Sequence, residues 1–140
     1  MIDPLSATMQ ISSSALKAQS ERLRVVSENL ANARSTGEAA GDDPYQRKTV
    51  TFESEFDRAS RADMVKVKDI GVDKSPFTVE YEPGHPAADE NGYVKMPNVN
   101  MLMELADMRE TNRSYEANLK VMTQAREMVM RHIGLLRDTG

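Results

Sequence analysis

The sequence predicts a mainly α fold in which long N- and C-terminal helices pair as a coiled coil, with a small β-hairpin-rich central insert between them. Three observations carry that prediction. Five of the seven glycines and five of the six prolines fall between residues 34 and 97, where they interrupt any long helix. The flanking segments carry apolar residues at sevenfold spacing, the mark of a helix-helix seam. The chain has ten Met but only three Phe, four Tyr and no Trp, so its interior must come from Leu, Val, Met and Ala, which suits helices better than stacked sheets.

In the first segment Pro4 can occupy an opening helical turn, and no further Pro or Gly appears before Gly37. That leaves room for a helix of roughly 29 residues, about 44 Å long. Ile2, Met9, Leu16, Leu23 and Leu30 recur every seven residues, with Leu5, Val26 and Ala33 on the companion row. In the last segment Asn98 or Asn100 can cap a second helix of about 58 Å. Met101, Met108, Tyr115, Met122, Val129 and Leu136 form its sevenfold row, and Leu105, Leu119 and Ile133 follow alternate members by four. Polar Ser12, Gln19, Asn112 and Arg126 on the companion rows lower seam stability but select register and partner. Glu104, Asp107 and Glu110 near its start, with Arg126, Arg131 and Arg137 toward its end, complement the helix dipole. The second seam outruns the first, so other molecules must cover part of its apolar surface, or that part stays disordered.

Between the helices, Gln46 to Phe52 and Met64 to Val72 read as strands, and Phe77, Val79 and Tyr81 give a third alternation. Residues Glu82 to Pro86 must turn, and Asn91-Gly92 makes a tight turn before Tyr93-Val94. This insert holds too little apolar material for a core of its own and is expected to pack on a helix or on a neighbour. The chain thus divides into residues 1–33, 34–97 and 98–140. Lys and Arg balance Asp and Glu at both ends, so the whole net charge of −4 sits in the centre.

Several chemistries lack their residues. With no cysteine there is no disulfide, thiolate metal site or thiol nucleophile. His85 and His132 are far apart, and His85, Asp89 and Glu90 read as an ordinary solvated turn rather than a metal site. Asp42-Asp43 lacks calcium-loop spacing, and neither a phosphate-binding glycine loop nor a nucleophile elbow is present. No catalytic residue, cofactor or metal is therefore assigned. The acidic balance argues against nucleic acid. The first residues lack a basic, then apolar, secretory leader, and no run is apolar enough to insert in a membrane. Two readings fit the seams: a self-assembling structural subunit, or a cytoplasmic helical adaptor or chaperone that takes a client helix on its Met-rich stripe.

The heptapeptide Ser27-Glu28-Asn29-Leu30-Ala31-Asn32-Ala33 resembles the amino-terminal signature of the flagellar axial proteins, the rod, hook and hook-associated family. Asn91 to Val94, Pro97 to Asn100, Met103 to Met108 and Arg113 to Asn118 are similar to the FlgC-type proximal-rod members, as are Pro44 to Lys48, Phe52 and Glu82 to Pro86. The resemblance runs nearly end to end. It implies a structural subunit without catalysis, exported by the flagellar type III apparatus without a cleavable signal peptide. It would assemble helically with other rod proteins and copies of itself to carry torque across the periplasm. It also implies that both termini form a coiled coil in the inner tube while the centre reaches outward. Two departures stand out: a Gly-bearing link from Arg34 to Gly41, and Gly134, which is expected to interrupt the last helical turn.

Overall fold

The computed structural model describes residues 3–140; Ile2, at the head of the first predicted seam, lies outside them. Helix α1 spans Pro4–Ala31 and α2 spans Met101–Asp138. Asp3 starts α1: its carboxylate accepts the Leu5 N–H at 3.3 Å and its carbonyl the Ala7 N–H at 3.1 Å. Asn100 caps α2 by accepting the N–H groups of Leu102 and Met103 at 3.1 and 3.3 Å, leaving Asn98 for another task. Gly134 does not break α2, which runs on to Asp138. A single glycine costs a helix about 1 kcal/mol, too little to end one of 38 residues.

The centre forms two separate two-stranded sheets. Strands β1 (Lys48–Asp57) and β2 (Ala62–Val72) are joined by residues 58–61, a connection too short for anything but an antiparallel hairpin. Strand β1 extends five residues past the expected Phe52. Its outer half, Glu53-Ser54-Glu55, is polar and so escapes an apolar count. Across the hairpin Lys66 Nζ holds Glu55 at 2.6 Å and Glu53 at 3.3 Å, and these two carboxylates, Glu55 foremost, keep the ammonium above its usual pKa.

Strands β3 (Thr78–Tyr81) and β4 (Tyr93–Met96) pair antiparallel, Tyr81 opposite Tyr93 and Thr78 opposite Met96. The two tyrosine rings meet edge to face, 5.3 Å between centroids. Asp89 shapes the connection by accepting the N–H groups of Asn91 and Tyr93, both at 2.9 Å, and His85 Nδ1 accepts that of Ala87. Ala87, Val94 and Met96 form a small buried cluster beneath this sheet. The insert therefore does hold a core, a minimal one that the turn brings together rather than the strands alone.

The chain folds into two compact units that cut across its order. One takes residues 1–22, 51–69 and 110–140; the other takes 23–50 and 70–109. The first buries Ser12, Ala18, Ser60, Thr111 and Ala125; the second buries Val25, Val26, Asn29, Val94, Met96 and Glu104. Short apolar residues and polar side chains share both interiors.

Gly92 sits at φ +85°, and a Cβ there would lie 2.9 Å from the Tyr81 ring and 3.0 Å from Pro83 Cβ. Gly41 has the same φ but open space around it. We expect Gly41→Ala to cost about 1 kcal/mol and Gly92→Ala ~2–3 kcal/mol, read as the larger drop in thermal midpoint. Equal drops would mean that the close approach at Gly92 carries no energy.

Candidate assembly surface and its polar anchor

The second unit is organised by the heptapeptide at the end of α1. Asn29 is 1% exposed, and its side-chain amide uses every bonding position it has. Its Nδ2 donates to the Lys48 carbonyl at 2.9 Å and to Glu104 Oε2 at 3.3 Å. Its Oδ1 accepts the Lys48 N–H at 2.9 Å and the Tyr45 hydroxyl at 2.7 Å. Two of these bonds engage both backbone groups of Lys48, so the amide stands in for a neighbouring strand on the outer edge of β1. A primary amide has two donors and two lone pairs, and none is left over.

Arg47 extends the network. Its guanidinium Nε pairs with Glu104 Oε1, and its Nη1 lies 3.5 Å from Asp73. Glu104 is 1% exposed, so the pairing is what makes its burial tolerable, since an unpaired interior carboxylate costs several kcal/mol. Asn98 accepts the Arg47 N–H at 2.8 Å and donates to the Asp73 and Ser75 carbonyls. Gln46 Nε2 donates to the same Asp73 carbonyl. The Asp73 carboxyl is held below its ordinary pKa, first by the Ser75 hydroxyl and then by its N–H, with Arg47 assisting. Glu28 receives Lys48 Nζ at 2.5 Å. Asn32 donates to the Glu28 carbonyl at 2.9 Å and accepts from Ser35 at 3.0 Å, which finishes α1 and starts the link.

Of the heptapeptide, then, Glu28, Asn29 and Asn32 face inward bonds, Leu30 and Ala33 are half-buried, and Ser27 and Ala31 are exposed. Sequence reasoning gave Tyr45, Arg47, Lys48 and Asp73 no bonding role, offered Asn98 as a helix cap, and read Glu104 as a dipole partner near the start of α2. Tyr45, Arg47 and Lys48 lie in the family-like stretch Pro44 to Lys48 and Asn98 in Pro97 to Asn100, whereas Asp73 carries no such signal.

The apolar rows fall into two groups. Val26 is buried, while Met9, Leu16, Leu23, Leu30, Met108, Met122 and Val129 are half-buried. Met101, Leu105, Tyr115, Leu119, Ile133 and Leu136 are exposed. On α2 the covered residues beside the Met108, Met122 and Val129 row are Glu104, Thr111, Asn118 and Ala125, one step before the companion row that spacing suggests. The row of Leu105, Leu119 and Ile133 faces outward, joined by Leu102, Met128, Met130 and Leu135. In the first unit Gln19 Oε1 is buried without a hydrogen-bond partner among the described residues. No helix among the described residues is long and apolar enough to cross a membrane, and no cluster of three metal-ligating side chains is found among them.

Residues 9–37 match the family model "Flagella basal body rod protein", and residues 90–135 match "Flagellar basal body rod FlgEFG protein C-terminal". The flagellar basal-body rod protein FlgC of Agrobacterium fabrum is 62% identical over 97% of this chain and 98% of its own length. FlgC of Salmonella typhimurium is 41% identical over 89% of this chain and 92% of its own, and FlgC of Borreliella burgdorferi 31% over 95% and 98%. The chain belongs to the FlgC family. The family's N-terminal model covers the whole heptapeptide, so the polar anchor lies inside the matched region.

Two measurements test the anchor. Asn29→Leu keeps the branched heavy-atom skeleton but strands the Lys48 backbone, the Tyr45 hydroxyl and part of Glu104; we expect a loss of about 3–5 kcal/mol in urea unfolding. The Tyr45 hydroxyl is raised above its ordinary value of 10.0, first by burial and then by the Glu28 and Glu104 charges. Its contribution is complete below pH 10 and is lost as pH climbs from 10 toward the folded value, because the unfolded chain gives up that proton first. Stability should therefore fall more steeply above pH 10 in the parent chain than in Tyr45→Phe.

Proposed function

We propose that this chain is a structural subunit of the bacterial flagellar basal-body rod, exported by the flagellar type III apparatus and assembled helically to transmit torque. Membership of the FlgC family makes the rod its place of work. In this reading residues 1–33 and 98–140 pair as a coiled coil that builds the tube wall, and residues 34–97 reach outward to neighbouring subunits. Its partners are copies of itself, other rod proteins and the export apparatus, in the periplasmic part of the basal body. Neither nucleic acid nor membrane insertion enters, and the role needs no catalysis or cofactor.

One observation carries the proposal. Helix α2 leaves Leu105, Leu119, Ile133, Leu135 and Leu136 exposed along its length, and monomeric proteins rarely leave so many large apolar side chains of one helix in water. Neighbouring subunits would cover it, at a gain of about 1.5–3 kcal/mol for each large side chain fully buried. Such seams suit a torque-bearing part, because load is shared over many small contacts rather than held at one bond. The half-buried row on α1 supplies apolar surface of matching spacing.

Leu119 is 46% exposed, so replacing it should spare the fold and strike the assembly. We expect Leu119→Asp to yield a soluble chain with the parent's far-UV circular dichroism that is absent from isolated basal bodies. Normal incorporation of that variant would defeat the assignment of this row to subunit contacts. In dilute solution the parent's terminal helices should also show less than full helix content, rising on assembly.

A further inference from the structure

The tip of the β1–β2 hairpin contains a residue that the turn does not want. Arg61 has φ +52°, the one non-glycine positive φ among the described residues. Hairpin connections that end in the left-handed region take Gly or Asn there by preference. Here the position holds a long cationic side chain instead, which is a departure that function, not folding, has to explain.

Neither tip arginine builds the turn. Asp57 does so, accepting the Ser60 N–H at 2.9 Å, the Ser60 hydroxyl at 2.6 Å and the Ala59 N–H at 3.4 Å. Those bonds hold the Asp57 carboxyl below its usual pKa, the Ser60 hydroxyl contributing most. Ser60 is buried, whereas Arg58 and Arg61 are exposed and have no ion-pair partner among the described residues. Two guanidinium groups thus stand on a turn that is fixed without them.

The complementary charge lies elsewhere on the same chain. The unit containing the tip carries eleven positive and eleven negative residues; the other carries seven and eleven, and so holds the entire net charge of −4. Within it the link Glu38-Ala39-Ala40-Gly41-Asp42-Asp43 presents three exposed carboxylates in six residues. Lys95 Nζ, 3.0 Å from Asp43, is the one cation bonded to them among the described residues. The link is also shaped: Gly41 takes φ +85°, and Asp42 accepts the Ala39 N–H at 3.1 Å.

We propose that the Arg58/Arg61 tip of one copy docks on the acidic 38–43 link of the next copy in the assembly. This rests on the rod reading, which sets copies side by side. Arginine forks match carboxylates in geometry as well as charge. Because tip and link are different patches of one chain, the contact is head-to-tail, and repeating it generates a helical or ring arrangement rather than a closed pair. The charges would set orientation and speed of docking, while the apolar rows supply most of the affinity.

The test is a charge swap in a flagellated cell lacking its own copy, with the amount of chain in isolated basal bodies as readout. Arg58→Glu with Arg61→Glu should lower incorporation on the order of tenfold. Adding Glu38→Arg and Asp42→Arg to that chain should restore at least half of it. Arg61→Gly with Arg58 kept relieves the backbone, so a purely structural tip predicts equal or better incorporation, whereas docking predicts a partial loss. Circular dichroism of each purified variant checks folding. Parent-level incorporation of the reversed tip overturns the proposal. So does failure of the swap to rescue well-folded chains, the result expected if the tip faces a different protein. Absence of the parent chain from basal bodies would instead defeat the rod reading itself.

Discussion

The unit made of residues 23–50 and 70–109 depends on one side-chain amide being fully used. Asn29 joins the end of α1 to the start of β1 and to the first turn of α2, segments 19 and 75 residues away in sequence. Because it engages both backbone groups of Lys48, it also closes the outer edge of β1 at that point, where an open strand would otherwise invite pairing with another chain. Arg47 and Glu104 then hold each other, and Asp73 and Asn98 hold Arg47. Little apolar mass surrounds this: Val25, Val26, Val94 and Met96 are its larger buried residues. Directional bonds do here what a bigger core does elsewhere, and they tolerate no missing member, since a half-satisfied network is worse than none.

Helix α2 shows the opposite economy. Its covered side mixes Glu104, Thr111, Asn118 and Ala125 with half-buried Met108, Met122 and Val129, while its outer side carries leucines and methionines in water. Within one chain, then, the helix is held by polar and small residues, and its bulkiest apolar groups are kept free. That distribution is unfavourable for a monomer and favourable for a part whose burial is completed by neighbours. Methionine suits such a surface because its unbranched, polarizable chain adapts to uneven contacts.

How much of this the sequence disclosed depends on how local the cause is. The helices were legible because sevenfold spacing and the absence of Gly and Pro act within a few turns, and Asn100 caps where Asn98 or Asn100 could have. The Asn91-Gly92 turn was legible too, since Gly92 needs its positive φ. The outer half of β1 was not, because Glu53 and Glu55 are stabilised by Lys66 across the hairpin rather than by apolar alternation. Glu104 is the sharpest case. An acidic residue in a first helical turn reads as a dipole partner, and nothing nearby in sequence announces that Arg47 will bury it. The heptapeptide could be recognised, but its work could not be derived, since the partners of Asn29 lie in other elements. Gly134 misled for a related reason: neighbours outweigh one unfavourable propensity in a long helix.

The two kinds of contact also solve different halves of one problem. Apolar rows that repeat every seven residues fix register only in part: sliding α2 by one heptad sets Met101 where Met108 was, although it also sets Leu105 where Asn112 was. Such a slip moves a side chain by about 10 Å along the axis. For Glu104 that distance is decisive, since it would leave Arg47 and Asn29 behind and strand a carboxylate that has almost no solvent contact. The penalty, several kcal/mol for an uncompensated buried charge, exceeds what the shifted rows could return by small differences in packing. A buried ion pair adds little net stability over an apolar replacement, but it has one register in which it is satisfied. The anchor at Asn29 therefore fixes the start of α2 against the end of α1, a register that Asn112 and Arg126 on the companion row do not have to set alone.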